Sequence, residues 1–449
     1  MRTLIHNATI VNEGRIFNGS VLIEDDRIAD VFTGSTPALP NTETVNATGL
    51  LLLPGVIDTH VHFRDGGSGD NPAGTFYSES RAARAGGVTS VIDMPNTKPQ
   101  TTSLATLEAK EAMAARDSVV NYGFMLGATN DNIDELLSIE PTRYAAIKLF
   151  LGSSTGNMLV NDPGQLDHLF RDARKLIVAH CEEEAIVQAN LHNFKLEHQG
   201  KPTETAALHP QIRNTEACFV STYKAVQRAR KYGTRFHVAH VSTATELNLF
   251  SNFDIGDKLI TAEVTPNHLC FDDREYAELG NLIKCNPSIK SSDDRVALWM
   301  GLADDLVDTI GSDHAPHPLE AKQKPYFDAP SGIPSVQHSL QMLLEEIFNP
   351  EAVLDDEWVH SSLPMIVQKM CHNPALLFGI EGRGFIRPGY KADLVLVRTG
   401  VVERVTRKSL LYKCGWSPLV GMDFHTHIEQ VWVNGRTGSD HAEALTFNR

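Results

Sequence analysis

The stretch VIDTHVH, residues 56–62, is a short apolar run that ends in two histidines. Unbroken apolar character over such a length fits a strand buried on both faces, as in a parallel sheet. Residues two apart on a strand point to the same side, so His60 and His62 present both imidazoles to one place. Seven further runs of this kind follow: TSVIDMP (89–95), NYGFML (121–126), AAIKLFL (145–151), LIVAHCE (176–182), FHVAHVS (236–242), LITAEVT (259–265) and DTIGSDH (308–314). Segments with helical periodicity lie between them, such as SLATLEAKEAMAARD (103–117) and NTEACFVSTYKAVQRARKYG (214–233). Eight alternating units predict an α/β protein built as a (β/α)8 TIM barrel over residues 54–384.

The ends read differently. Residues 1–53 contain short strands and turns, TLIHNATIVNEG and then GSVLIEDDRIADV. Residues 385–449 are alike, with ADLVLVR (392–398) and IEQVWVNGR (428–436). Two strand-rich ends around one barrel predict a small β-sandwich domain built from both termini. A chain of 449 residues suits this division, since a single core stops growing at roughly 250–300 residues.

Hydrophobic residues make up 42% and charged residues 21%, ordinary values for a soluble globular chain. The formal net charge of -16 argues against a nucleic-acid partner or an anionic membrane surface. It leaves room for an anionic small substrate, because a site can be locally positive. The opening MRTLIHNATIVNEG lacks the apolar run of a signal sequence, and no apolar stretch of membrane-spanning length follows. The six cysteines include no CxxC pair and read as reduced thiols, which places the expected location in the cytoplasm.

A barrel carries its chemistry at the C-terminal ends of its strands. His60 and His62 end the first strand, Lys148 lies in the fourth, His180 ends the fifth, His240 the sixth and Asp313 the eighth. Four imidazoles, a lysine and a carboxylate form a ligand set for two divalent cations, with Zn2+ the natural choice. Any one strand histidine has a plainer account as a hydrogen-bonded core residue; agreement among five strand ends favours metal. His237 stands at an odd offset from His240 and is expected to point away from the site.

Lys148 sits among Ala146, Ile147, Leu149 and Phe150, where an ammonium ion is expensive to bury. It either snorkels to the barrel rim or is carboxylated by CO2 to a carbamate. A carbamate is an anion able to bridge two metals about 3.5–4 Å apart. With Asp313 and a bridging hydroxide it would balance most of the charge of two divalent ions.

PGVIDTHVHFRD (54–65) resembles the first-strand signature of dihydroorotases, hydantoinases and allantoinases. DMPNTKP (93–99), VAHVSTATEL (238–247), EVTPNHL (263–269), KCNPSIKS (284–291) and GSDHAPH (311–317) are similar to dihydroorotase motifs, in the same order. GYKADLVLV and VWVNGR resemble the sandwich strands of the amidohydrolase superfamily. The likeness covers nearly the whole chain, and HFR with MPNT and SDHAPH is specific to the dihydroorotase family.

That resemblance implies metal ligation by His60, His62, Lys148, His180, His240 and Asp313, with Asp313 also shuttling the proton. Arg64 and Asn96 would hold a substrate α-carboxylate, assisted by His317, and Asn286 would bind the ring amide. A guanidinium fork matches a carboxylate bidentately, although a surface ion pair is the plainer account of Arg64 and a turn before Pro287 that of Asn286. The implied substrates are N-carbamoyl-L-aspartate and L-dihydroorotate, with a homodimer as an open option. Two features depart from the commoner relatives. KLFLGSSTGN (148–157) resembles the lysine-bridged branches, and APSGIPSVQH (329–338) replaces a glycine-rich stretch, leaving backbone groups around Gly332 to meet the ring. The alternatives are a related cyclic amidase for neutral rings and an inactive, dihydroorotase-like structural partner.

Overall fold

A computed structural model describes residues 2–34, 39–67, 70–152, 158–198, 206–350, 356–438 and 441–448. Eight parallel strands follow one another round a ring: Val56–Val61, Val88–Asp93, Asn121–Phe124 continued by Leu126–Gly127, Ile147–Phe150, Ile177–His180, Phe236–Val238, Ile260–Val264 and Thr309–Ile310. The third strand is interrupted at Met125, whose N–H turns to Asp93 O at 3.2 Å while Leu126 N–H reaches Ala146 O at 3.1 Å. A parallel bridge between Val61 and His314 joins the first strand to the chain beyond the eighth, with His62 N–H donating to His314 O at 2.8 Å.

Strand periodicity decides what faces where. Ile147, Leu149, Ile177, Phe236, Val238, Ala262 and Val264 share one apolar cluster with Ala82, Leu107, Leu169, Phe170 and Val226 of the surrounding helices. Each such large side chain contributes about 1.5–3 kcal/mol on burial. The alternate positions face inward. Near the strand starts they are apolar: Ile57, Ala146 and Val178 pack with Leu377 and Phe378 of the helix Asn373–Phe378, which floors the barrel. Near the strand ends they are polar, and Lys148, His180 and Glu263 are buried there.

The terminal domain is one seven-stranded sheet in the order Asp423–Trp432, Leu394–Arg404, Leu50–Pro54, Arg2–Asn12, Arg15–Glu24, Arg27–Thr33, with Glu43–Asn46 also pairing Arg2–Asn12. The C-terminal strand Leu394–Arg404 thus lies directly against the N-terminal Leu50–Pro54. Ile28 and Trp432 come from the two ends of the sheet order yet share one core with Ile5, Ile10, Val21 and Leu52, so the sheet curls over its own interior. All six cysteines are free. Among the described residues no helix is long and apolar enough to cross a membrane.

Candidate active site

A cavity at the C-terminal end of the barrel is lined by His60, His62, Arg64, Asn96, Lys148, His180, His240, Asn286, Asp313 and Gly332, with Phe150, Ala315 and Ser331. Of the residues expected in the site, His317 alone stands outside this lining. Arg64, His240 and Asp313 hold φ at 63°, 39° and 46°, in the left-handed region that side chains disfavour. Such backbone persists where surrounding structure dictates it.

His60 Nε2 and His62 Nε2 approach the same Asp313 oxygen at 3.3 and 3.1 Å. Ligand atoms of these three residues all lie within 4.8 Å of one another. The hydrogen-bond network assigns the tautomers. His62 Nδ1–H donates to Asn96 Oδ1 at 2.7 Å, and His60 Nδ1–H to Glu263 Oε1 at 2.6 Å. Both Nε2 lone pairs therefore face a carboxylate oxygen, an electron-rich cleft that fits a cation. Burial, and then the Lys148 charge, pushes the His60 pKa down to about 3. Burial also holds His62 and His240 well below the usual imidazole range. Neutral imidazole is the form that ligates metal.

A second group stands opposite. His180 Nδ1 lies 3.0 Å from His240 Nε2, and His180 Nε2–H donates to Glu182 Oε2 at 2.9 Å. Lys148 Nζ is buried without a hydrogen-bond partner among the described residues, 5.3 Å from the centre of the Phe150 ring. Burial pushes its pKa down to about 8. An orphaned amine facing five candidate ligands fits the carbamate expectation better than the rim, because Lys148 is only 1% exposed. The Ser153–Asn157 part of the KLFLGSSTGN run lies outside the described residues.

Three supporting residues escaped the sequence reading. Glu263, on the seventh strand, orients His60 and also accepts from Thr59 Oγ1 at 3.2 Å. Glu182 orients His180 and is itself paired with Arg213. Asp58 Oδ1 accepts from His60 N–H at 3.1 Å and Ser312 N–H at 3.0 Å, tying the first strand to the segment that carries Asp313. An acid two positions from a strand histidine is the signal that could have found Asp58 and Glu182. Gly311 makes room for this arrangement: a Cβ there would stand 2.5 Å from Glu263 Oε2 and 2.9 Å from His60 Cβ.

On the substrate side, Arg64 is half-buried, its Nε is enclosed without a hydrogen-bond partner, and it forms no ion pair among the described residues. The surface ion pair considered for it is absent there. Asn286 lies in the wall with Oδ1 3.1 Å from His209 Nε2, which orients its amide. His317 Nε2–H donates to Ser331 O at 3.0 Å and so holds the loop that forms the wall.

Gly332 lines the cavity; its N–H donates to Lys284 O at 2.8 Å and its C=O accepts from Lys322 Nζ at 2.8 Å. One expectation needs correction. His237 lies outside the ligand group, yet it faces the barrel interior, bonding Thr261 Oγ1 at 2.8 Å. The left-handed turn at His240 breaks strand alternation, so both histidines point inward at different levels.

Residues 51–438 match the Amidohydrolase family. A dihydroorotase of Halobacterium salinarum is 33% identical over 82% of this chain and 82% of its own length. A dihydroorotase of Methanosphaera stadtmanae is 29% identical over 90% of this chain and 89% of its own. Among solved structures, an L-hydantoinase (dihydropyrimidinase) of Arthrobacter aurescens superposes with a TM-score of 0.89 at 26% identity, covering 99% of this chain and 97% of that one.

Proposed function

The chain belongs to the amidohydrolase family, and we propose that within it this hydrolase of cyclic amides is a dihydroorotase, interconverting N-carbamoyl-L-aspartate and L-dihydroorotate. The observation that carries the reading is Arg64. A half-buried guanidinium, its Nε enclosed and without an ion pair among the described residues, lines the cavity beside the ligand group and suits an anion. Dihydroorotate brings a carboxylate; a neutral ring would leave the guanidinium unmatched.

His60, His62, His180, His240, Asp313 and Lys148 as its carbamate would hold two divalent cations, Zn2+ by the softness of the donors. Bound there, the cations supply Lewis acidity toward the ring carbonyl and toward water. The depressed pKa of Lys148 leaves free amine near neutral pH. Its lone pair adds to CO2, forming an N–C bond and releasing one proton. Arg64 and Asn96 grip the substrate carboxylate, and the Asn286 amide meets the ring. Asp313, 3.1 Å from His62 Nε2, takes a proton from the attacking water and delivers it to the leaving amide nitrogen. Glu263 and Glu182 keep the imidazoles aimed while this happens. The catalytic domain is assigned to residues 54–384, and six free cysteines suit a reducing cytoplasm.

A second reading draws support from the L-hydantoinase fold neighbour: a cyclic amidase for neutral rings. One assay separates the two. Purified, zinc-loaded protein is offered L-dihydroorotate, dihydrouracil, hydantoin and allantoin. Preferential opening of dihydroorotate supports the proposal. Faster opening of a neutral ring replaces it, and inertness toward all four with full metal leaves the structural-partner reading.

A further inference from the structure

Four consecutive carbonyls in the loop that walls the cavity, those of residues 329 to 332, each accept a hydrogen bond from a lysine or histidine side chain. Lys284 Nζ donates to Ala329 O at 2.6 Å and to Tyr326 O at 2.7 Å. Lys322 Nζ donates to Pro330 O at 3.0 Å, to Gly332 O at 2.8 Å and, from below, to Lys284 O at 3.0 Å. His317 holds the remaining carbonyl, that of Ser331.

Lys322 is 1% exposed and Lys284 7%. Neither pairs with a carboxylate among the described residues. A buried ammonium without an acid is costly unless dipoles replace water around it. Here carbonyls do so, aided by the Tyr326 ring 4.4 Å from Lys284 Nζ and the Trp416 ring 5.6 Å from Lys322 Nζ. Three acceptors around Lys322 match the three N–H donors of an ammonium. A neutral amine would turn its lone pair toward a carbonyl oxygen. Burial pulls the pKa of Lys322 down to about 7, while this cradle favours the charged form. The charge reaches the residues that back the wall: after burial and the charge of Arg64, the charge of Lys322 helps push the His317 pKa down to about 3.

Resting on the dihydroorotase reading, we propose that Lys322 is a positioning and specificity-determining residue, whose cradled ammonium fixes the cavity-lining loop and biases the site toward a ring bearing a carboxylate. The ammonium stands one carbonyl behind the cavity wall at Gly332. In a water-poor wall such a charge acts over several ångströms with little screening.

Orotate and uracil test this, being one planar ring with and without a carboxylate. Their inhibition constants against dihydroorotate turnover are measured for the zinc-loaded wild type, Lys322→Met and Lys322→Gln. Glutamine keeps two N–H donors for the cradle should the methionine variant fail to fold. Metal content confirms that each variant retains the centre. The expected result is a rise of about tenfold for orotate, with uracil changing less than twofold. Equal rises for both ligands, or none, would make Lys322 a loop staple only and overturn the inference, leaving the dihydroorotase reading intact. Wild-type protein that binds orotate no better than uracil would instead remove the dihydroorotase reading, and the inference with it.

Discussion

Glu263 Oε1 lies 2.6 Å from His60 Nδ1, across 203 residues of chain. Both side chains are at most 2% exposed, so this contact alone decides which nitrogen of His60 faces Asp313. Glu263→Gln keeps the shape and removes the anionic acceptor. Metal affinity is expected to fall about 10–100-fold, the usual effect of losing such an orienting partner. Competition against a chelator measures it; wild-type retention would exclude Glu263 from the centre.

Gly311→Ala should disturb the same pair by crowding. The added Cβ has nowhere to stand between Glu263 and His60, yet Gly311 does not need a left-handed backbone. Metal content and turnover should drop sharply while the melting temperature moves by only a few degrees. A variant with full metal and normal rate would show that the contact relaxes freely.

Lys148→Ala should lose most activity and the bridging anion. Added bicarbonate or a short carboxylate, supplied with metal, should restore part of the rate by occupying the same place. Intact-mass measurement of active wild type under CO2 should show the carbamate; fully active enzyme with an unmodified lysine contradicts this assignment.

Arg64→Ala and Arg64→Lys should both cripple dihydroorotate turnover and leave metal bound. Lysine keeps the charge but loses the planar fork. The loss in kcat/KM should correspond to about 2–5 kcal/mol of transition-state binding. Wild-type kcat/KM in Arg64→Ala would return the neutral-ring amidases to first place.

Acid should destabilise the metal-free protein through histidines outside the ligand set. Burial pushes His237 and His338 down to about 4 from an ordinary 6.5. Between those values the unfolded chain binds a proton that the folded chain refuses, so stability falls as pH drops from about 6.5 to about 4. Melting curves across that window should show the slope, and His237→Asn should flatten it. A melting temperature indifferent to pH there would refute neutral burial.

The barrel was legible because its strands are short, apolar and regularly spaced. VIDTHVH forms Val56–Val61 and LIVAHCE forms Ile177–His180. DTIGSDH forms a strand only at Thr309–Ile310 and pairs again as a bridge at His314, since the chain between turns through Asp313 with positive φ and Ser312 N–H bonds Asp58. The ligand group was legible for a related reason: imidazole at a strand end is rare enough to register. Glu263 was not, because an acid on a strand reads as ordinary until its partner 203 residues away is seen. The hold of Lys322 on the backbone of Gly332, ten residues downstream, was not legible, because a lysine carries no sign of burial in sequence.

The sheet that interleaves Leu394–Arg404 with Leu50–Pro54 has a consequence for biosynthesis. A ribosome releases the N-terminal strands long before their neighbour exists. Until then Leu50, Leu51 and Leu52 present an unpaired apolar edge of the kind that recruits other chains. The cleft between His62 and Asp313 waits almost as long, since the two are 251 residues apart. The nascent enzyme is therefore at its most vulnerable to aggregation, and without its assembled site, through most of its own translation.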